Sequence, residues 1–308
     1  MPKTSFLTLN RRAFAIATIA LVGGVVTGLP SSAFAETPDT SRWVIDAAKA
    51  RELLAGGAIL LDTRGQDLKD ERPVQGAVPV VWQDFTNADL PNKGQLLEDD
   101  AVLTEKLRAL GISTAIPVVA IADSAKGWGE DRRIVWTLRT LGHENSFLVD
   151  GGVEALLAEG DLALKPVAVP GDFTVARTDA YEIKKEELVT LIDKPDVVIL
   201  DTREPREYAG ETPYGESRGG HIPGARHIFY KDLVGPDGKI VEGEALKARL
   251  AELGVGADTQ VVSYCTGGIR SGFVTAVLND LGVKARNYAG SMWEWSAQDA
   301  AAYPLVTN

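Results

Sequence analysis

The chain has one cysteine, Cys265, in the run Val261-Val262-Ser263-Tyr264-Cys265-Thr266-Gly267-Gly268-Ile269-Arg270-Ser271-Gly272, and the order of residue types suits thiolate chemistry. An apolar stretch of strand type stops at Cys265, and two glycines follow it. A helical spacing of Phe273, Val274, Val277, Leu278 and Leu281 then begins near Arg270. In an open α/β sheet, ligands bind just beyond the carboxyl ends of the strands, which is where this order puts the sulfur. Gly267 and Gly268 allow torsions that other residues resist, so the loop can curl its N–H groups towards one centre. Such a nest, backed by a helix N-terminus, steadies an anion and lowers a thiol pKa. A lone cysteine after a strand is more often inert core. The Thr-Gly-Gly segment between strand and helix, with arginine after it, turns the balance towards catalysis. Arg270 either faces the bowl or caps its loop.

Other polar residues carry weaker signals. Asp201-Thr202-Arg203 ends the first apolar run of the same half, and the triplet recurs as Asp62-Thr63-Arg64 where there is no cysteine. That recurrence reads first as a structural ion pair or cap, with Arg203 kept as a second candidate for meeting substrate. His221, in Gly220-His221-Ile222-Pro223-Gly224, reads as a turn residue bonded to backbone rather than as a base. His143 and His227 belong to no constellation. One cysteine and three histidines are too few soft ligands for a structural zinc site, and a single cysteine excludes a disulfide within the chain.

The elements that must hold the cysteine loop occur twice. A helical pattern over 47–54 leads into Ala58-Ile59-Leu60-Leu61 and then Asp62-Thr63-Arg64. A second, over 184–192, leads into Val197-Val198-Ile199-Leu200 and then Asp201-Thr202-Arg203. Pro117-Val118-Val119-Ala120-Ile121 matches Gln260-Val261-Val262-Ser263-Tyr264, and Leu148-Val149-Asp150-Gly151-Gly152 matches Asn287-Tyr288-Ala289-Gly290-Ser291. Short continuous apolar runs separated by helix-length segments indicate buried parallel strands with helices on both faces. The expected fold is therefore α/β, with two tandem domains, each an open, mostly parallel sheet. The expected boundaries are 42–158, a polar linker with Pro and Gly breakers over 159–180, and 181–308.

Length, charge and leader bound the rest. The 308 residues are 45% hydrophobic and 24% charged, as in a soluble globular protein of two ordinary domains. A net charge of −11 argues against a nucleic-acid groove, which needs excess Lys and Arg. Residues 1–35 read as a signal peptide. Lys3, Arg11 and Arg12 precede an uncharged stretch over 13–35 that ends Ala33-Phe34-Ala35, a small-x-small cleavage pattern. Asn10-Arg11-Arg12-Ala13-Phe14 resembles a twin-arginine export motif. Removing 35 of 308 residues, with those three cations, leaves 273 from Glu36 onward and takes the charge from −11 to −14. The expected destination is the bacterial periplasm or the medium, with no stable membrane span after cleavage and a monomeric state.

The stretch from Cys265 to Ser271 resembles the active loop of the rhodanese family, Cys-x-x-Gly-x-Arg or close variants. Asp201-Thr202-Arg203-Glu204-Pro205-Arg206-Glu207-Tyr208, then Gly220-His221-Ile222-Pro223-Gly224-Ala225, and the closing run from Tyr288 to Trp295 are similar to that family too. The similarity runs from about Trp43 to the end of the chain. It matches the tandem arrangement of thiosulfate and 3-mercaptopyruvate sulfurtransferases, in which an inactive N-terminal copy accompanies a catalytic C-terminal one. The resemblance implies that Cys265 carries a persulfide and that Thr266, Gly267, Gly268, Ile269 and Arg270 cradle it. The N-terminal copy fits the inactive role, with Ala122-Asp123 at the equivalent strand end, the register open by one residue. Tandem members often have arginine where Glu207 stands. Thr266-Gly267 is neither the basic pair associated with vertebrate-type thiosulfate enzymes nor the Gly-Ser pair of mercaptopyruvate enzymes.

Cysteine phosphatases of the related fold use Cys-x5-Arg, whereas four residues lie between Cys265 and Arg270. The smaller ring suits a sulfur atom better than a phosphate. The expected reaction takes sulfane sulfur from a small anionic donor, thiosulfate, onto Cys265 and passes it to cyanide or a thiol. It needs no cofactor or metal and follows ping-pong kinetics. Two alternatives stay open: 3-mercaptopyruvate as donor, and a sulfur-binding or partner-docking module with little turnover.

Overall fold

Strands form at the apolar runs because these residues are covered on both faces, as parallel pairing requires. The computed structural model describes residues 39–241, 243–256 and 258–307, so the expected leader and its cleavage point at Ala35 lie outside the described residues. The first half runs β1 (Val44–Ile45), α1 (Ala47–Gly56), β2 (Ile59–Asp62), α2 (Gln66–Glu71), β3 (Val78–Pro79), α3 (Asp100–Ala109), β4 (Val118–Ile121), α4 (Glu130–Thr140), β5 (Ser146–Val149) and α5 (Gly152–Leu157). The second runs α6 (Lys185–Leu191), β6 (Val197–Asp201), α7 (Pro205–Tyr208), β7 (Arg226–His227), α8 (Glu244–Glu252), β8 (Gln260–Tyr264), α9 (Ile269–Asp280), β9 (Ala285–Asn287) and α10 (Ser291–Ala297). Residues 158–184 contain no helix or ladder strand. They are tied down by Phe173, which is buried and whose carbonyl accepts from Arg108 Nε at 2.7 Å.

Both sheets are wholly parallel. Their orders are β1-β5-β4-β2-β3 and β7-β6-β8-β9, with Glu182 bridging Asn287 at the edge that β1 occupies in the first sheet. Period-two alternation divides each strand between two cores. Leu60, Val119 and Ile121 face Ala50, Leu53 and Leu156 of α1 and α5, while Ile59, Leu61, Val118 and Ala120 face the other way. In the second sheet Ile199, Val262 and Tyr264 meet Leu188, Met292 and Trp295 of α6 and α10. Local signals set the helix ends. The Asp46 side chain accepts the Lys49 N–H at 2.7 Å to open α1, and left-handed Gly57 (φ 109°) closes it. Leu103 and Leu107 on α3 are fully buried, contributing about 1.5–3 kcal/mol each.

The two halves share their central core because α4 packs on α9, bringing Trp136 and Leu138 together with Phe273 and Val277. Gly272 lies where these helices cross, and a Cβ there would just touch Arg133 Cδ at 3.4 Å. The register also settles which residue of the first half stands in the cysteine's place. Asp62 pairs with Ile121 as Asp201 pairs with Tyr264, so Ala122 is the counterpart of Cys265 and Asp123 that of Thr266. Among the described residues no helix is long and apolar enough to cross a membrane.

Candidate active site

β8 delivers the cysteine. Val261, Val262 and Tyr264 are buried, and the Tyr264 hydroxyl is fixed from both sides. It donates to Asp201 Oδ2 at 2.8 Å and accepts the Ile222 N–H at 3.1 Å. Cys265 therefore emerges at the carboxyl end of the sheet, 1% exposed. The next segment is held from the start of α10. The Cys265 N–H donates to Ser291 Oγ at 3.0 Å, and the Met292 and Trp293 N–H groups donate to the carbonyls of Cys265 (3.1 Å) and Thr266 (2.9 Å). Gly268, left-handed at φ 82°, turns its N–H onto Cys265 Sγ at 3.1 Å. Gly267 has to lack a side chain because a Cβ there would lie 2.0 Å from the Trp293 ring.

Charge around the sulfur favours the thiolate. Burial alone would push the Cys265 thiol up. The Arg270 guanidinium, the Ser271 hydroxyl and N–H, and the Gly267 N–H together outweigh it and hold the thiol below its ordinary value. Arg270 is itself paired: its Nη1 and Nη2 donate to Glu207 Oε2 and Oε1 at 2.6 and 2.9 Å. The Thr266 hydroxyl donates to Glu207 Oε1 at 2.7 Å. Burial would raise the Glu207 carboxyl, but these bonds hold it below the usual range. The guanidinium also lies against the rings of Trp128 and Tyr214, at 5.5 and 5.6 Å.

A cavity of about 210 Å³ opens over the sulfur, lined by Cys265, Thr266, Gly267, Ile269 and Arg270 and walled by the rings of Trp128, Tyr214 and Trp293. Trp128 comes from the first half and meets Tyr214 edge-on at 5.4 Å. Larger surface hollows, such as the one of about 400 Å³ beside β1, are not lined by the cysteine. Gly268 is not on the wall but supplies the N–H to sulfur. Arg270 both faces the cavity and braces the loop. Arg203 has to be corrected: it is fully buried behind the loop, paired with Asp201 at 2.6 Å and donating to the Gly220 carbonyl at 2.8 Å, and it does not line the cavity. A carboxylate two residues away claims it before any substrate can. His221 stacks on Tyr208 at 3.7 Å and bonds its carbonyl at 3.0 Å, a turn role. His227 bonds the Arg203 carbonyl at 2.8 Å, and His143 bonds Ser146 Oγ at 2.7 Å.

Sequence reasoning missed three residues. Glu207 was noted only as a departure from arginine. The opposed charge of Arg270 in the same half was the available signal. Trp128 and Arg133, both from the half without cysteine, carried no signal in the sequence. In that half Ala122 has no nucleophile, and Asp123 instead ties its own loop by accepting the Ala125 and Lys126 N–H groups at 3.0 and 2.7 Å.

This strand–loop–helix cradle around a thiolate is that of a sulfurtransferase, and comparison with known proteins agrees. Residues 184–298 match the rhodanese-like domain. The sulfur carrier protein TtuD of Thermus thermophilus is 30% identical over 244 residues, covering 74% of this chain and 84% of that protein. A thiosulfate sulfurtransferase of Azotobacter vinelandii is 31% identical over 180 residues, 58% of this chain and 65% of the relative's length. Among solved structures, a 3-mercaptopyruvate sulfurtransferase from Leishmania major superposes with a TM-score of 0.67 at 21% identity, covering 85% of this chain and 76% of that one. The chain belongs to the rhodanese family of sulfurtransferases.

Proposed function

We propose that the protein transfers the sulfane sulfur of thiosulfate to a thiophilic acceptor through a persulfide on Cys265. The thiolate attacks the outer sulfur of thiosulfate, the S–S bond breaks, and sulfite leaves with the bonding pair. Cyanide or a thiolate then attacks the terminal sulfur of the persulfide and regenerates the Cys265 thiolate. The observation that carries this reading is the 3.1 Å contact from the Gly268 N–H to Sγ beneath a cavity sized for a small donor. N–H groups already aimed at the sulfur stabilise its charge without reorganisation.

Arg270 has its charge offset by Glu207, so the donor's anionic end has to be met at the rim. Lys93 suits that role. Its ammonium lies 5.3 Å from the centre of the Trp293 ring on the cavity wall, and among the described residues it has no carboxylate partner. The half without cysteine then serves as wall and anion grip rather than as a second catalyst, and the protein works as an exported monomer. Initial rates over crossed thiosulfate and cyanide concentrations test the scheme. Parallel double-reciprocal lines are expected, and intersecting lines would exclude a free persulfide intermediate.

A second reading, a sulfur carrier with slow turnover, is favoured by the aromatic rim and the offset charge of Arg270, which weaken the hold on small oxyanions. Stoichiometric sulfur loading with no multiple turnover on thiosulfate would select it, and fast turnover on 3-mercaptopyruvate would select that donor instead.

A further inference from the structure

Arg133 of α4 is a fully buried guanidinium without a carboxylate partner within ion-pairing distance among the described residues. Its Nη1 donates to the Gly268 carbonyl at 2.8 Å and its Nη2 to the Gly94 carbonyl at 2.5 Å, while Nε has no partner. The rings of Trp136 and Trp82 flank it at 4.6 and 5.8 Å. A buried cation whose direct partners are carbonyls and rings is costly, and proteins keep one where an anion compensates it. The carbonyl it holds is that of Gly268, the residue whose N–H, one peptide earlier in the chain, points at Cys265 Sγ. Asn287 Nδ2 and the Gly272 N–H share the same carbonyl, at 3.0 and 3.1 Å, so its orientation is fixed by three donors. The same guanidinium ties Gly94 of its own half against the loop, where a Cβ on Gly94 would lie 2.5 Å from the Gly267 carbonyl oxygen.

We propose that Arg133, contributed by the half that has no cysteine, is a positioning residue for sulfur transfer: it anchors Gly268 by its carbonyl, so that the preceding peptide's N–H stays on the sulfur, and balances the charge of the Cys265 thiolate and persulfide. The inference rests on Cys265 being the sulfur carrier. Burial lowers the Arg133 guanidinium to about 10, with the Cys265 and Glu182 charges acting in the opposite direction, so it stays a cation at neutral pH. The other charged or titratable groups facing the sulfur are Arg270 on α9, with Glu207 of α7 behind it, and Tyr230. Burial raises the Tyr230 phenol, so it stays neutral in the working range.

The test uses the mature protein and its Arg133→Met and Arg133→Lys variants, with two readouts. The first is the rate of Cys265 alkylation by iodoacetamide against pH. The second is the single-turnover rate of sulfur loading from thiosulfate, measured by intact mass. Arg133→Met is expected to raise the apparent thiol pKa by about one unit, leaving about tenfold less thiolate at neutral pH. Arg133→Lys keeps the charge but cannot bridge both carbonyls. It is expected to hold the thiol pKa near the wild-type value while sulfur loading slows about tenfold. A folded Arg133→Met protein with the wild-type alkylation profile would overturn the proposal. If that variant does not fold, wild-type loading in Arg133→Lys would overturn it. No sulfur loading in the wild-type protein would instead refute the carrier role, and alkylation reports on Arg133 independently of it.

Discussion

Replacing Glu207 by glutamine should make the protein less stable and its cysteine more acidic at once. Glu207 and Arg270 have side chains 0% and 3% exposed, joined by two hydrogen bonds, with Thr266 as a third donor. Removing one partner of a buried ion pair costs about 3–5 kcal/mol. The glutamine amide oxygen still accepts one N–H from Arg270, which puts the loss at the lower end, about 3 kcal/mol. In a chain of this size each kcal/mol moves the melting temperature by about 2–4 °C, so a fall of about 6–12 °C is expected. The guanidinium left behind lies beside Sγ with its charge no longer offset. At an effective dielectric of about 20, that extra net charge lowers the thiol pKa further, on the order of one pH unit. It should also lower the KM for thiosulfate, because the cavity gains a cation. Thermal melts followed by circular dichroism, with iodoacetamide inactivation across pH on the same samples, read both effects. A thiol pKa that rises in Glu207→Gln would refute the charge balance described here.

Two further outcomes follow. The Cys265 thiol is held below its ordinary value, so persulfide formation should rise with pH and level off before an unperturbed thiol would have ionised; the stability this ionisation contributes is full above the unfolded thiol's pKa and is lost as pH falls through the folded one, which melts of wild type and Cys265→Ser against pH will read. Lys93→Ala should raise the KM for thiosulfate about fivefold with kcat little changed, Lys93→Arg should restore it, and an unchanged KM in steady-state assays would remove Lys93 from donor binding.

The parts of the site written along one stretch of chain were legible in the sequence, and those made by contact between distant stretches were not. Strand, Cys265, glycines and helix are adjacent, so their order alone placed the sulfur at a sheet end, and α9 begins at Ile269, beside the expected Arg270. The repeat was legible because each half must bury both faces of a parallel sheet and uses the same apolar runs to do so. The exact counterpart of Cys265 was open by one residue until ladder pairing fixed Ala122, since an apolar run does not record its own register. The Glu207–Arg270 pair spans 63 residues and the Arg133–Gly268 bond 135, and both depend on how α7, α9 and α4 pack. Arg203 was weighed against substrate binding and structure, and its bond to Asp201 two residues away decides for structure.

Intact-mass spectrometry of the protein tests the central claim most directly, after brief exposure to thiosulfate and then cyanide, beside Cys265→Ser. The account predicts a gain of one sulfur atom on the wild-type protein, its removal by cyanide, and no gain on the variant. Sulfur retained by Cys265→Ser, or no gain on the wild-type protein from thiosulfate or 3-mercaptopyruvate, would contradict it.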